Sequence, residues 1–159
     1  MRLATPSRCL RSAALCLGLL ALGCGGATEQ EGDARPEIEA LLAEYLPLLG
    51  EVYAENDSSR VEGLAAPREI AAIDKRLRDI QLEGRRLAPT FQSVAIEDLQ
   101  VWGYANAYVT TQEVWDIRTY STGSDQLLTE QLGQRNRVKY QLKRIDGSWQ
   151  VLFRTILER

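Results

Sequence analysis

The 159-residue sequence predicts an α+β domain, in which N-terminal helices pack on one face of a curved, cone-shaped antiparallel sheet of about four strands. The first observation is a change of period. Apolar residues recur at intervals of three and four up to Pro89, and at every second residue from Thr90 onward. The second observation is the set of turn signals in the later half, at Trp102-Gly103, residues 120–125 and Asp146-Gly147. Together they predict helices first and an antiparallel meander afterwards.

Composition restricts the chemistry before any motif is considered. With 45% hydrophobic and 26% charged residues, the chain can build one globular domain. The absence of His excludes Ser-His-Asp and Cys-His catalysis and His-ligated metals. Three cysteines, Cys9, Cys16 and Cys24, are too few for a structural zinc site of four ligands. We therefore expect no metal and no cofactor.

The first 24 residues have the pattern of a secretory signal. Arg2, Arg8 and Arg11 form a basic start, and an apolar stretch over residues 12–23 follows that is too short to span a bilayer as a stable helix. It ends in Leu20-Ala21-Leu22-Gly23-Cys24, which resembles a bacterial lipobox. The resemblance implies that residues 1–23 are a lipoprotein signal peptide and that Cys24 carries diacylglycerol. The alternatives are an ordinary signal peptide that releases a soluble periplasmic protein, and an uncleaved anchor.

Beyond the signal, the chain is acidic. Residues 24–159 hold 16 Lys and Arg against 22 Asp and Glu, a net charge of −6, so we expect no nucleic-acid partner and no electrostatic attraction to anionic lipid. The expected membrane link is the acyl chains on Cys24. Gly25, rather than Asp, after the cysteine favours the periplasmic face of the outer membrane, if the organism has one. Residues 24–35 are polar and Gly-rich and are predicted to form a flexible tether before a single domain at 36–159.

Three helices are predicted next. Pro36 suits a first helical turn, and the apolar stripe that follows extends to Tyr53, with Pro47 expected to kink or split it. Ser59 and Glu62 have capping-box spacing for a short second helix around Val61 and Leu64. Pro67 opens a third helix that Pro89 ends. Its apolar stripe contains Ile70, Ile73, Leu77, Ile80 and Leu87.

Strands follow in alternating pattern. A first strand covers Phe91 to Val101, and residues 126–134 are ambiguous between strand and loop. One face of a long second strand carries Ala105, Ala107, Val109, Thr111, Glu113, Trp115 and Ile117. The third strand alternates Val138, Tyr140 and Leu142 with basic residues, and the last alternates Trp149, Val151, Phe153, Thr155 and Leu157.

Two stretches carry a family resemblance. Residues 94–103, with the Ala-containing strand from Ala105 to Glu113 after them, lead to a Val-x-Tyr-x-Leu strand, an Asp-Gly turn and a Trp within residues 137–151. This order resembles the nuclear-transport-factor-2-like superfamily, whose members share an α+β cone, and is most similar to the IMS-type domains of plastid-division proteins and their bacterial relatives. Because that superfamily includes isomerases, cyclases and scaffolds, the resemblance implies a fold and leaves the function open.

The candidate site follows from which polar groups the strands turn inward. Glu113 is the one carboxylate on the apolar face of the long strand, and Tyr140 on another strand could donate a hydrogen bond to it, as in an acid–donor pair of an isomerase-like enzyme. A Glu that pairs with a helix Arg is the plainer interpretation. Trp115, Tyr140, Trp149 and Phe153 are predicted core aromatics and candidates for lining a cone cavity. Arg135, Arg137, Lys139 and Lys143 form a basic stripe, which indicates a solvated sheet face or a docking face for an acidic partner.

Three functions remain open at this stage. The first is a non-enzymatic lipoprotein that serves as a protein-interaction or accessory module of the cell envelope, through the sheet face, with a homodimer or another envelope protein as partner. The second is a periplasmic small-ligand-binding protein that uses the cone cavity. The third is an isomerase- or cyclase-like enzyme with Glu113 as general base.

Overall fold

The computed structural model describes residues 29–158, and their side chains from Ala34 onward. The helices are α1 (Glu29–Glu55), a 3₁₀ turn (Ser58–Val61) and α2 (Pro67–Leu82). The strands are β1 (Arg85–Trp102), β2 (Asn106–Ser121), β3 (Leu127–Ile145) and β4 (Ser148–Glu158), in the sheet order β1-β2-β3-β4. Each strand pairs antiparallel with its neighbour, so the predicted α+β fold is confirmed. The predicted signal peptide and Cys24 lie outside the described residues.

Helix α1 differs from its prediction at both prolines. It begins at Glu29, so residues 29–35 are helical where the sequence predicted a tether. Acidic residues at the start of a helix are favoured by its dipole, which explains why this polar stretch joins the helix. Pro47 does not split α1, because the turns around it are fixed by the fully buried Leu46 and by Leu49. Among residues 29–158, neither α1 nor α2 combines the length and the apolar character that a helix needs to cross a membrane.

The region after α1 also corrects the sequence prediction. Asp57 caps the 3₁₀ turn by accepting from the Ser59 amide, so Ser59 is not the cap that its spacing with Glu62 suggested. Helix α2 ends at Leu82, and Gly84 at φ 69° turns the chain into β1. Leu87 and Pro89 therefore belong to a strand. Pro89 is tolerated there because β1 is an edge strand, where a missing amide proton leaves no ladder bond broken on the open side.

The core lies between α1 and the inner face of the sheet. Ile38, Tyr45 and Leu46 of α1 are fully buried, as are Val109 and Tyr140 of the sheet. The close approach of α1 to β1 depends on Gly50, because a Cβ at that position would lie 2.9 Å from the Pro89 carbonyl oxygen. Helix α2 makes a looser contact, mainly with β4 and β1, and leaves space between itself and the sheet.

A bulge in β4 reverses which side chains point inward. Val151 pairs with Leu142 and Phe153 pairs with Gln141, so Leu152 is the extra residue. Beyond a one-residue shift, every following side chain changes face. The predicted inward set of Phe153, Thr155 and Leu157 is therefore wrong, and Arg154 and Ile156 point toward the interior instead.

Candidate functional site

A cavity of about 580 Å³ lies between α2 and the inner face of the sheet. Helix α1 contributes Leu49 and Tyr53, and α2 contributes Arg76, Asp79 and Ile80. The sheet supplies the rest of the wall, including Leu87, Glu113, Trp115, Ile117, Thr119, Gln134, Asn136, Val138, Arg154 and Ile156. The wall therefore combines apolar and aromatic side chains with charged and amide groups, and the volume is typical of small-molecule sites.

Glu113 is held in the cavity wall by three hydrogen bonds from neutral donors. Its Oε1 accepts from Tyr140 Oη at 2.5 Å and from Thr111 Oγ1 at 3.0 Å, and its Oε2 accepts from Trp115 Nε1 at 2.9 Å. The side chain is 2% exposed. Because residues 111, 113 and 115 share one face of β2, the strand itself presents two of the donors, and Tyr140 on β3 supplies the third.

The two buried tyrosines that meet in the core are both donors. Burial, together with the negative charge of Glu113, raises the pKa of Tyr140 well above its ordinary value. Burial also raises the pKa of Tyr45 well above its ordinary value, and Glu69 adds to the effect. Their rings meet edge to face with centroids 6.4 Å apart. Both hydroxyls therefore stay protonated and donate, one to each of the two buried glutamates.

Glu69 of α2 is the second buried carboxylate, at 1% exposure. Its Oε1 accepts from Tyr45 Oη at 3.1 Å and from Arg154 Nε at 3.0 Å. Burial raises the pKa of the Glu69 carboxyl, and the Arg154 guanidinium and the Tyr45 hydroxyl offset part of that rise. Arg154 also donates from Nη2 to Tyr53 Oη at 2.8 Å. A cation, a carboxylate and two tyrosines thus join α1, α2 and β4 across the interior.

This ion pair also divides the space under α2. A second cavity of about 590 Å³ lies on the other side, with Glu69, Ile73 and Phe153 in its wall. Tyr53, Arg76 and Arg154 line both cavities. Arg154 therefore stands where the two spaces meet.

The structure separates the residues that the sequence proposed as a cavity lining. Trp115 and Glu113 line the 580 Å³ cavity, whereas Tyr140, Trp149 and Phe153 are not among its lining residues. Tyr140 acts behind the wall through its bond to Glu113. Trp149 is buried with the Arg144 guanidinium 5.0 Å above its ring. Phe153 is partly exposed because of the bulge, and Arg68 lies 5.0 Å over its ring.

Two amides in the wall were not predicted as site residues. Gln134 Nε2 donates to Asn136 Oδ1 at 3.0 Å. Gln134 Oε1 is buried, and no group within the described part of the chain donates to it. Gln134 lies in residues 126–134, the stretch that was predicted only ambiguously, so its face could not be assigned from the sequence. Trp149 Nε1 and Arg144 Nε, which belong to residues that do not line the cavity, are also buried without a partner among the described residues.

Two of the four residues of the basic stripe on the outer face contact side chains of their own sheet. Arg137 Nε donates to Glu97 Oε2 at 2.7 Å, and Lys139 Nζ lies 4.3 Å from the Tyr108 ring centre. Arg137 also lies within 3.8 Å of Glu158. Among residues 29–158, no group of three carboxylates or cysteines is arranged to hold a metal ion.

Comparisons with known proteins give the fold. The intermembrane space region of the chloroplast protein ARC6 is similar at a TM-score of 0.65 and 11% identity, with 80% of this chain and 98% of that chain covered. A periplasmic fragment of TraM has a TM-score of 0.54 at 12% identity, with 79% and 98% covered. A ketosteroid isomerase-like protein from Erwinia carotovora atroseptica has a TM-score of 0.51 at 12% identity, with 80% and 98% covered. The predicted nuclear-transport-factor-2-like cone, similar to IMS-type domains, is confirmed as a fold. No family model and no curated protein matches the sequence.

Proposed function

We propose that this chain is a lipid-anchored bacterial envelope protein that binds a small molecule in the cavity between α2 and the sheet. The observation that supports this most strongly is the cavity itself, which measures about 580 Å³ and has Trp115 and Ile117 beside Glu113 and Gln134 in its wall. A space of this size, with aromatic, apolar and polar groups in its wall, fits a small ligand better than it fits a filled structural core.

The wall chemistry selects a class of ligand. Leu49, Trp115 and Ile117 offer apolar and aromatic contact. Glu113 Oε2 accepts only the Trp115 bond among described groups, so this oxygen keeps spare lone-pair capacity, and Glu113 and Gln134 both line the cavity. The complementary molecule combines an apolar or aromatic body with a hydroxyl or amine.

The same contacts weigh against general-base chemistry at Glu113. Three donors occupy three of the roughly four lone-pair sites that a carboxylate offers. A base must exchange a proton with its substrate, and these bonds stabilise the carboxylate as an acceptor in place. Ligand orientation is the role that fits three fixed donors, so we rank catalysis by Glu113 below binding.

Titration with 1-aminoanthracene, an apolar fluorophore with one amine, tests the cavity. We expect saturable binding by the chain from residue 24 with Cys24→Ser, and weaker binding of anthracene, which lacks the donor. Gln134→Leu should reduce the preference for the amine by about fivefold, the effect of one hydrogen bond of about 1 kcal/mol. Thr119→Trp, which fills the cavity, should abolish binding.

Thr90→Trp is the matched control, since Thr90 is exposed on β1 and does not line the cavity. It should bind like the wild type. The proposal fails if Thr119→Trp folds, by its thermal melting, and binds the dye as well as the Thr90→Trp variant does.

The anchoring part of the proposal depends on the lipobox-like residues 20–24. The TraM fragment shows that a chain with a similar fold occurs in the periplasm, which is compatible with this location. Cys24→Ala should prevent lipidation and the cleavage before residue 24, so that an unprocessed precursor accumulates. Unchanged processing and membrane partition would contradict lipidation.

A second candidate function, protein interaction, is favoured by the first half of β3. Residues 127–136 pair with β2, but β4 pairs with β3 only from Arg137 onward, so this edge is open among described strands. It carries the exposed Leu127, Leu128 and Leu132. Open edges accept a further strand. Light scattering should give a dimer that Leu128→Lys converts to a monomer, whereas a concentration-independent wild-type monomer would contradict self-association at this edge.

A further inference from the structure

The hairpin between β1 and β2 ends in an exposed aromatic cluster. Tyr104 is 71% exposed and Trp102 is 40% exposed. The Trp102 ring lies 4.8 Å from the Tyr108 ring, and Lys139 Nζ lies on Tyr108. Trp102, Tyr104 and Tyr108 are called the hairpin cluster below. None of the three lines the 580 Å³ cavity.

The backbone at this tip is in an unusual conformation for its sequence. Gly103 and Tyr104 both have φ 59°. The other non-glycine residues with positive φ in the described part of the chain are Asn56, Asp125 and Asp146. Asn and Asp tolerate this region, whereas an aromatic residue there costs free energy. A large exposed aromatic at a strained tip indicates a contribution other than folding.

The cluster lies at the end of the domain where the chain enters. The Arg144 amide donates to the Ala105 carbonyl at 2.8 Å, and the Arg144 guanidinium pairs with Glu37 near the start of α1. Helix α1 is 27 residues long, which is about 40 Å, so its other end is remote from this one. Only four residues lie between Cys24 and Glu29, so the Cα atoms of these two residues can be at most about 18 Å apart.

We infer that the hairpin cluster docks in the headgroup region of the bilayer that holds the Cys24 lipid. This inference rests on the anchoring part of the proposed function. Trp and Tyr rings, which combine an apolar body with a polar tip, are the side chains enriched at membrane interfaces. Because the chain is acidic as a whole, aromatic burial rather than electrostatic attraction holds the contact. Docking fixes the domain with this end toward the lipid and the loop at residues 121–126 away from it.

Fluorescence quenching by bromolipids tests the orientation. The chain from residue 24 has Cys24 as its one cysteine, so it can be joined through a maleimide lipid to phosphatidylcholine vesicles that contain dibromostearoyl chains. We expect quenching of the wild type and its loss in Trp102→Phe, because Trp115 and Trp149 are each 5% exposed. Quenching should persist at high salt.

Leu132→Trp in the Trp102→Phe background is the matched control, since Leu132 is 63% exposed and lies on the opposite half of β3. Its tryptophan should not be quenched. Tyr104→Asn suits the positive φ, so it should raise the melting temperature while it reduces the quenching of Trp102. Equal quenching at positions 102 and 132, no quenching at Trp102, or loss of quenching at high salt would each overturn the inference.

The Trp102 emission could instead shift with protein concentration and show no quenching by bromolipid. That result would overturn membrane docking and would indicate that a second copy of the chain covers the hairpin cluster. Because the lipid is attached chemically, these results do not depend on lipidation in the cell. Failure here therefore leaves the Cys24→Ala and 1-aminoanthracene tests to be judged separately.

Discussion

Glu113 and Glu69 are equally buried, yet the protein surrounds them differently. Glu113 accepts from three neutral donors, of which the neighbouring positions on β2 supply two. Glu69 accepts from one tyrosine and from the charged Arg154, so it belongs to an ion pair that joins α2 to β4. Glu113 is therefore positioned by its strand as part of a cavity wall, whereas Glu69 links helix α2 to the sheet through Arg154.

Removal of the Glu69–Arg154 ion pair should cause the greatest loss of stability. Glu69→Ala leaves Arg154 largely buried without its carboxylate, and loss of one partner of a buried pair costs about 3–5 kcal/mol. Urea unfolding of the variant should show that loss. A loss below about 1 kcal/mol would place the pair among ordinary surface ion pairs and remove the contrast between the two sites.

Glu113→Gln should lower the free energy of unfolding by less, about 1–3 kcal/mol. The amide keeps the shape of the carboxylate, but its NH₂ group meets side chains that themselves donate. It should weaken 1-aminoanthracene binding more than Glu69→Gln does, since Glu69 does not line that cavity. The same titration measures both variants. Equal weakening by the two would show that Glu113 has no special position in the wall.

Removal of the tyrosine hydroxyls that donate to the two glutamates should have smaller effects on stability. Tyr140→Phe should cost about 1.5–3 kcal/mol, the range for a hydrogen bond to a charged group, and more than Tyr45→Phe. The reason is distance, since Tyr140 Oη lies 2.5 Å from Glu113 and Tyr45 Oη lies 3.1 Å from Glu69. Urea unfolding of both variants measures the two losses of stability. A larger loss for Tyr45→Phe than for Tyr140→Phe would contradict this prediction.

The smallest expected effect is a pH dependence specific to Glu69. Burial raises the pKa of its carboxyl, so between the unfolded and folded pKa values the folded state holds the proton and the unfolded state does not. Stability from this group is present below the unfolded pKa and is lost as pH rises through the folded pKa.

The free energy of unfolding of the wild type minus that of Glu69→Gln should therefore fall as pH rises from about 4 toward neutrality. Unfolding at a series of pH values measures this difference. A difference that grows with pH would mean that the attraction of Arg154 outweighs burial.

The sequence allowed one of these two carboxylates to be found. Glu113 stands on the apolar face of an alternating strand, so strict period two placed it inward, where Tyr140 of the neighbouring strand reaches it. Glu69 sits in the first turn of a helix, where acidic residues are ordinary on the surface. Its burial depends on Arg154, which points inward only because of the bulge at Leu152.

The same limit explains the misplaced aromatics. The position of a bulge is set by tertiary packing and cannot be recognised in an alternating sequence pattern. Phe153 was therefore assigned to the wrong face of the sheet. The helix boundary was wrong for a related reason, because Leu87 continues the period of α2 and yet pairs with Thr119 of β2. Long periodic segments and the Asp146-Gly147 hairpin were predictable, and contacts that depend on register were not.

The central claim is that the cavity beside Glu113 takes a small molecule with a donor group. A crystal structure of the chain from residue 24, with Cys24→Ser, grown with 1-aminoanthracene tests it most directly. We expect the rings of the dye to pack against Trp115 and its amine to lie within hydrogen-bond distance of Gln134 Oε1 or Glu113 Oε2. The dye bound elsewhere, with protein side chains filling this cavity, would contradict it.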